Sequence, residues 1–395
     1  MKKLYNSKTR ASLTMFMLIL GGVFATDSAS AQTYFINAND KLQRHDGDII
    51  EFTNETILGS EGTTTWVRVT GTRIAEGRIT ILGTVHLILT DGSHLDASLG
   101  GICATGDNTL IIYSQFSGTG QLTANGLPNA AGIGGSLDNG GGTIVINGGI
   151  IRARGGDAAD VRILCWRVSA SAVRSGASVS AGAGAGIGGG GGNRGNNGFS
   201  GGNITINRGN VRAIGGNAAG QNDFDMHRNS RGGGGGAGAG IGGGGGAGGS
   251  GIGNNGFLHG FSGGPGGIVT IDSRAFVEAI SEDLGGYRDS KPMTTSFSGG
   301  GGRGAGIGGG GGGGGNWGIS SRSCPDGHTV IDFPITFGTA GGRNSDGIGQ
   351  GANGGAGDGD TGGVGGRGGA SGRIVIFDGE TRININENGH VSIGL

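Results

Sequence analysis

The sequence predicts an all-β chain wound as a solenoid, and three observations carry that prediction. The first is internal repetition. Ala-Gly-Ile-Gly-Gly stands at Ala131–Gly135, Ala185–Gly189, Ala239–Gly243 and Ala305–Gly309. The central isoleucines, Ile133, Ile187, Ile241 and Ile307, lie 54, 54 and 66 residues apart, and a degenerate copy surrounds Ile348. The second is a β run, a turn and another β run after the first three copies and again near the end. The third is composition. Glycine supplies 102 of 395 residues, against a usual share of about 7%, without the every-third-residue period of collagen. Aromatic residues at 5% and charged residues at 14% leave little for a thick core. The recurring Ile, Val and Thr suit a thin, quasi-one-dimensional one.

In chain order, residues 1–31 have the three parts of a cleaved signal peptide. Lys2, Lys3, Lys8 and Arg10 make a positive start, an apolar stretch runs from Leu13 to Ala25, and Ala29-Ser30-Ala31 offers small residues for cleavage before Gln32. The apolar stretch is shorter than the ~20 residues of a spanning helix, and no second one follows. The expectation is therefore a secreted or cell-surface protein without a transmembrane segment once the signal is removed. Losing four positive residues and Asp27 takes the net charge from −1 to −4. That balance argues against nucleic acid as a partner. Cys103, Cys165 and Cys324 are odd in number, so an exported context allows one disulfide whose pairing stays open.

Residues 32–128 lack glycine runs but keep β character, with expected strands at 33–36, 49–53, 66–69, 78–82, 85–90 and 109–113. Asp46-Gly47, Glu76-Gly77 and Asp91-Gly92 mark turns between them. These read as the opening turns of the solenoid, with Phe35 and Trp66 contributing to an end cap.

Residues 129–280 hold the repeats proper. Gly142-Thr-Ile-Val-Ile-Asn-Gly-Gly-Ile-Ile-Arg-Ala-Arg-Gly-Gly156 and Gly202-Asn-Ile-Thr-Ile-Asn-Arg-Gly-Asn-Val-Arg-Ala-Ile-Gly-Gly216 match closely, and 267–280 is a looser third copy. Ile144, Ile146, Ile204 and Ile206 alternate with Val145 and Thr205, a period of two. These pairs, with Val269/Ile271 and Ile374/Ile376, are expected to point inward and stack. Asn147-Gly148 also favours a two-residue hairpin, which keeps a set of ordinary hairpins as an alternative. The glycine tracts admit two readings: flexible linker, or ordered polyglycine-II packing in which chains without Cβ atoms lie close together. The fixed isoleucine of each motif and the scarcity of serine, proline and charge favour order, best at 182–192 and 232–253. Segments 157–180, 221–231 and 281–298 break the pattern as insertions on one side of the repeat, where solenoids carry binding loops. Residues 281–395 form a divergent glycine-rich repeat ending in the strands of Arg373-Ile-Val-Ile-Phe-Asp-Gly-Glu-Thr-Arg-Ile-Asn-Ile-Asn386.

The paired motifs resemble those of bacterial secreted and cell-surface glycine-rich repeat proteins, whose unit is Gly-Ala-Gly-Ile-Gly-Gly-Gly, a spacer, then Gly-Gly-x-Ile-Thr-Ile-x-Gly-Gly-x-Val-x-Ala-x-Gly-Gly. Residues 183–216 follow it almost fully, 77–280 in outline and 299–386 more weakly. The resemblance implies a right-handed parallel β-helix and an extracellular role, without a single activity. The glycine tracts also resemble, in composition, those of phage tail-tip adhesins with polyglycine-II chains.

Functional residues are sparse. Parallel β-helices host polysaccharide lyases and hydrolases, which need clustered acids. The β motifs here offer arginine and asparagine instead. Asp358-Gly-Asp360 is the best acid cluster and the candidate for a calcium site, but Gly359 departs from the Gly-Gly-x-Gly-x-Asp pattern, and an exposed acidic turn accounts for it better. No cofactor is otherwise expected. His86 and His94 with Asp91 and Asp96 come without a nucleophile motif. Arg152 and Arg212 occupy equivalent repeat positions and are the candidate binding residues, an outward ladder suited to carboxylates. The expected function is a non-catalytic adhesin or a binder of surface polysaccharide or another cell-surface ligand. A carbohydrate-active β-helix enzyme is the alternative.

Overall fold

The computed structural model describes residues 33–161, 179–193, 196–218, 235–249, 259–281, 301–313, 348–350, 352–353, 367–371, 373–376, 382–385 and 391–394. The signal segment, Cys165, Cys324, Asp358, Asp360 and Asp378-Gly379 lie outside them. The described residues are all-β.

The chain opens with an antiparallel pair, β1 (Thr33–Ile36) and β2 (Leu42–His45). From β3 (Ile50–Glu51) onward it visits three rows of parallel strands, here A, B and C, over and over. β3 starts row A. β4 (Ile57–Val69) then begins in row C and ends in row A, and β5 (Thr72–Ile74) enters row B, completing the first circuit. β6 (Ile79–Leu89) and β7 (His94–Ala97) make the second circuit. β8 (Ile102–Cys103), β9 (Thr109–Ser114) and β10 (Gln121–Asn125) make the third. The fourth is β11 (Ile133–Gly134) and β12 (Thr143–Arg154). A small antiparallel pair, β13 (Asp160–Val161) and β14 (Val179–Ser180), stands apart from the rows. β15 (Ile187–Gly188) and β16 (Asn203–Ile214) are the fifth circuit, and β17 (Ile241–Gly242), β18 (Ile268–Ile271) and β19 (Ala275–Ile280) the sixth.

The last part departs from this order. β20 (Ile307–Gly308) and β21 (Ile348–Gly349) both extend row C, and β22 (Arg373–Ile376) extends row A beside β18. β23 (Arg382–Ile385) does not take the row B place that its motif predicts. β24 (Val391–Gly394) lies there instead, antiparallel to β19, with β23 antiparallel to it. Row B therefore ends in strands of opposite sense.

The registers place like on like. Row C stacks Ile79, Ile102, Ile133, Ile187, Ile241 and Ile307, all buried, and then the partly buried Ile348. Row A stacks Leu87, Ile112, Ile146, Ile206 and Ile271, and beside them Val85, Leu110, Ile144, Ile204 and Val269. Ile374 and Ile376 continue both lines by backbone register. Row B stacks Leu95, Leu122, Ile151, Val211 and Val277 beside a line of alanines at 97, 124, 153, 213 and 279. One core joins these lines, and each large aliphatic side chain in it contributes about 1.5–3 kcal/mol relative to exposure. Asn147-Gly148-Gly149 turns β12 from row A into row B without reversing the chain, so it is a corner and not a hairpin.

The Ala-Gly-Ile-Gly-Gly motif has a physical explanation. The alanine N–H donates to the carbonyl of the last glycine in every copy: Ala131 to Gly135 at 2.9 Å, Ala185 to Gly189 at 2.9 Å, Ala239 to Gly243 at 3.0 Å and Ala305 to Gly309 at 2.9 Å. The ring aims the isoleucine into the core. The glycine after it, Gly134, Gly188, Gly242, Gly308 or Gly349, has φ of 126, 136, 134, 137 or 144°, a region essentially closed to other residues.

The described glycine tracts are buried and bonded along a zigzag between segments. Gly182 donates to Gly192 at 2.8 Å, Gly192 to Gly245 at 2.9 Å, Gly245 to Ala183 at 2.8 Å, Ala183 to Gly236 at 2.9 Å and Gly236 to Gly246 at 2.8 Å. Two of these five bonds close within a circuit and three join neighbouring circuits. This satisfies backbone groups that burial would otherwise leave costly. It leaves no room for side chains: a Cβ on Gly244 would stand 2.4 Å from the carbonyl carbon of Gly190 and nearer its oxygen. The flexible-linker reading does not apply to these tracts.

The opening pair β1–β2 is not a turn of the repeat, nor does it cap an end. It lies along the exposed side of row A. Phe35 packs with Ile88 and Tyr113 against Trp66 and Ile111. Arg68 of the first circuit donates to Thr33 Oγ1 at 2.9 Å, while at the hairpin tip Asp40 pairs with Arg208 of the fifth, and Arg274 of the sixth donates to the Ala38 carbonyl at 2.8 Å.

Candidate functional site

Row B carries the predicted binding residues. In β12 and β16 the alternation of a strand buries Ile151, Ala153, Val211 and Ala213, which turns Arg152 and Arg212 outward between them. The two arginines are register partners in neighbouring circuits, so their backbones stand about 4.8 Å apart. Sequence reasoning placed this pair correctly and missed what flanks it. The same outward line reads Asp96, Thr123, Arg152, Arg212, Glu278 and Ser392 in successive circuits. Arg212 Nε forms an ion pair with Glu278 Oε2 at 3.1 Å. The ladder is therefore two arginines long, and its second member is partly neutralised.

A parallel outward line two residues earlier holds His94, Gln121, Ile150, Asn210 and Phe276. Gln121, Asn210 and Phe276 are exposed. His94 Nε2 and Thr123 Oγ1 share a hydrogen bond of 3.0 Å. Hydrogen bonds from Ser98, including its N–H to Asp96 Oδ1 at 2.9 Å, hold the Asp96 carboxyl below the usual carboxylate range, with the nearby His94 adding to the effect. Together the two lines make a face with Arg152 and Arg212 at its centre, Asp96 and Glu278 beyond them, and amides alongside.

A second cluster, invisible in the sequence, clasps the N-terminal hairpin. His45 stacks on Trp66 with ring centroids 4.2 Å apart, and Trp66 stacks on His86 at 4.0 Å. His86 Nδ1 and Tyr113 Oη share a hydrogen bond of 3.0 Å, and Phe35 lies tilted against both Trp66 and Tyr113. Trp66, His86 and Ile111 are register partners on the outward side of row A. Only the register brings them together. Burial, and secondarily the charge of His45, depress the His86 pKa; burial raises that of Tyr113. Arg44, bonded to Asp46, and Arg68, bonded to Glu51, are the other charged groups around the clasp.

The depressed His86 pKa sets a sign. A detached hairpin would leave His86 at its ordinary value of 6.5, so the detached state takes up a proton that the docked state refuses. Docking is at full strength above that pH and weakens as pH falls through it. Hydrogen exchange in residues 33–45, corrected for intrinsic rates, is expected to accelerate from pH 7.5 to pH 5. In His86→Phe, which keeps a stacked ring, the dependence flattens. Equal protection at both pH values in the parent protein contradicts the clasp.

Arg78 is a structural cation. Burial lowers its pKa, and its guanidinium donates to the carbonyls of Gly100 at 2.6 Å, Ala131 at 3.1 Å and Gly135 at 2.9 Å. It thus ties down both ends of the first Ala-Gly-Ile-Gly-Gly ring. Cys103 is a partly exposed free thiol. The calcium candidates Asp358 and Asp360 lie outside the described residues.

Comparison of the chain with protein-family models, with curated proteins and with solved structures finds no match.

Proposed function

We propose that the chain is an exported, non-catalytic binding protein of the cell surface or its surroundings, an adhesin or glycan binder. In this reading it is a right-handed parallel β-helix with polyglycine-II-like tracts. The repeated visits to rows A, B and C in constant register, and the lateral hydrogen bonds of the glycine tracts, support the architecture. The resemblance of residues 77–280 to bacterial surface repeat proteins supports the setting, as does the signal-like segment 1–31.

One observation carries the binding role: Arg152 and Arg212 stand side by side on an exposed face of parallel strands. A regular face suits many weak contacts that gain strength together. Catalysis fits this face poorly. Its two carboxylates, on Asp96 and Glu278, are four strand steps apart, about 19 Å at the usual strand spacing, whereas glycosidase pairs sit about 5–9.5 Å apart.

The test has two measurements. Sequencing the N-terminus of protein recovered outside the cell should begin at Gln32; recovery of Met1 in a cytoplasmic fraction removes export. Purified protein should bind immobilised surface polysaccharide without shortening it. Depolymerisation of any polysaccharide in that assay replaces this reading with the enzymatic alternative.

A further inference from the structure

We infer that the row B face binds a sparsely acidic glycan: a chain of mainly neutral sugars in which a single carboxylate meets Arg152. The inference rests on the binding reading above and adds the ligand's chemical class and its placement.

Charge complementarity selects this occupant. Along the outward line the charges run negative at Asp96, neutral at Thr123, positive at Arg152 and Arg212, and negative at Glu278. Arg212 already shares its charge with Glu278. Arg154, the next outward residue of β12, is paired with Asp157 at 3.0 Å, so the uncommitted positive charge is centred on Arg152, between Asp96 on one side and the Arg212–Glu278 ion pair on the other. A uniformly charged polyanion lying along this face gains one good contact, meets repulsion at Asp96 and gains little over the Arg212–Glu278 ion pair. A neutral polymer leaves Arg152 unused. A chain with one carboxylate among neutral sugars gains at the centre and loses nothing at the ends.

The companion line supplies what neutral sugars need. Gln121 and Asn210 flank Ile150 in register, so amides that bond hydroxyls stand on either side of an apolar spot. Phe276, 49% exposed, continues the line and offers a ring to the apolar face of a sugar. Successive positions are about 4.8 Å apart, so the glycan lies along the strand stack, crossing strands at each sugar. A guanidinium meets a carboxylate through two parallel hydrogen bonds, which fixes the acidic sugar over Arg152 and sets the register of the rest.

The experiment measures binding of the purified full chain to four polysaccharide probes of similar length. These are a neutral glycan, one with a single uronate per repeat, the methyl ester of that glycan, and a polyuronate. The single-uronate glycan is expected to bind tightest, and esterification should weaken it about ten- to a hundredfold, the worth of a charge-assisted bond. Arg152→Ala should cause a loss of the same order for that glycan and none for its ester. Glu278→Gln, which frees Arg212 as a second cation beside Arg152, should improve polyuronate binding severalfold. Both side chains are outward, and an unchanged thermal midpoint checks that each variant is folded. If the polyuronate binds as tightly as the single-uronate glycan, or if esterification and Arg152→Ala have no effect, the inference fails while the binding reading stands. If the folded parent protein binds none of the four, both fail.

Discussion

Gly242→Val is expected to cost the protein about 4 kcal/mol, a large part of a typical folding free energy. Gly242 lies in register between Gly188 and Gly308 in row C. Its φ of 134° is one that a β-branched residue does not adopt without strain. A Cβ there would stand 2.9 Å from the carbonyl carbon of Gly308 and 3.1 Å from its nitrogen. Those are backbone atoms, so no rotamer change relieves the clash. Strain of about 1–3 kcal/mol adds to overpacking of about 1–3 kcal/mol. Gly92→Ala is the control. Its φ is 75° and nothing lies within 4 Å of the added carbon, so it should lose only the strain, about 1 kcal/mol. Urea unfolding measures both. A Gly242→Val protein within 1 kcal/mol of the parent would mean that the glycine stack is not packed as described.

Ile241→Ala is the second large effect, with an expected loss of about 2–5 kcal/mol. Ile241 is fully buried between Ile187 and Ile307, themselves fully buried, and neighbours fixed by row C cannot close the gap. Ile241→Val should cost only about 0.5–1.5 kcal/mol. Ile348, in the same line but partly exposed, should lose clearly less on truncation to alanine. Equal losses at Ile241 and Ile348 would contradict a core that thins toward this end of row C.

Much of the fold was legible because the repeats write the register directly. Ile144 and Ile204, or Ile133 and Ile187, occupy the same place in their motifs and are partners in the sheet. The Arg152–Arg212 pair was legible for the same reason. The opening hairpin was not. β2 reads Leu-Gln-Arg-His, with no alternation of apolar residues, and its place depends on Phe35, Trp66 and Tyr113 meeting across sequence gaps that no local pattern records. The place of β23 was not legible either. Arg382-Ile-Asn-Ile has the motif's alternation, but alternation carries no information about strand direction, and β24 competes for the edge of β19. The pairing of Glu278 with Arg212 is not legible because the third motif copy is loose in sequence while its register is kept.

The glycine zigzag has a genetic consequence. An aliphatic core drifts through near-neutral steps, since isoleucine, valine and leucine exchange at small cost. Glycine has no such neighbour. Every missense change in its codon adds at least one carbon, and at Gly182, Gly191, Gly236, Gly245 and Gly310 that carbon meets backbone. The lineage of this protein can therefore revise its loops and its outward rows freely, while the tracts behave as text that tolerates no synonyms. Variation among descendants should fall on the row faces and at the corners between circuits, and copying of whole motif units is the open route to a longer chain.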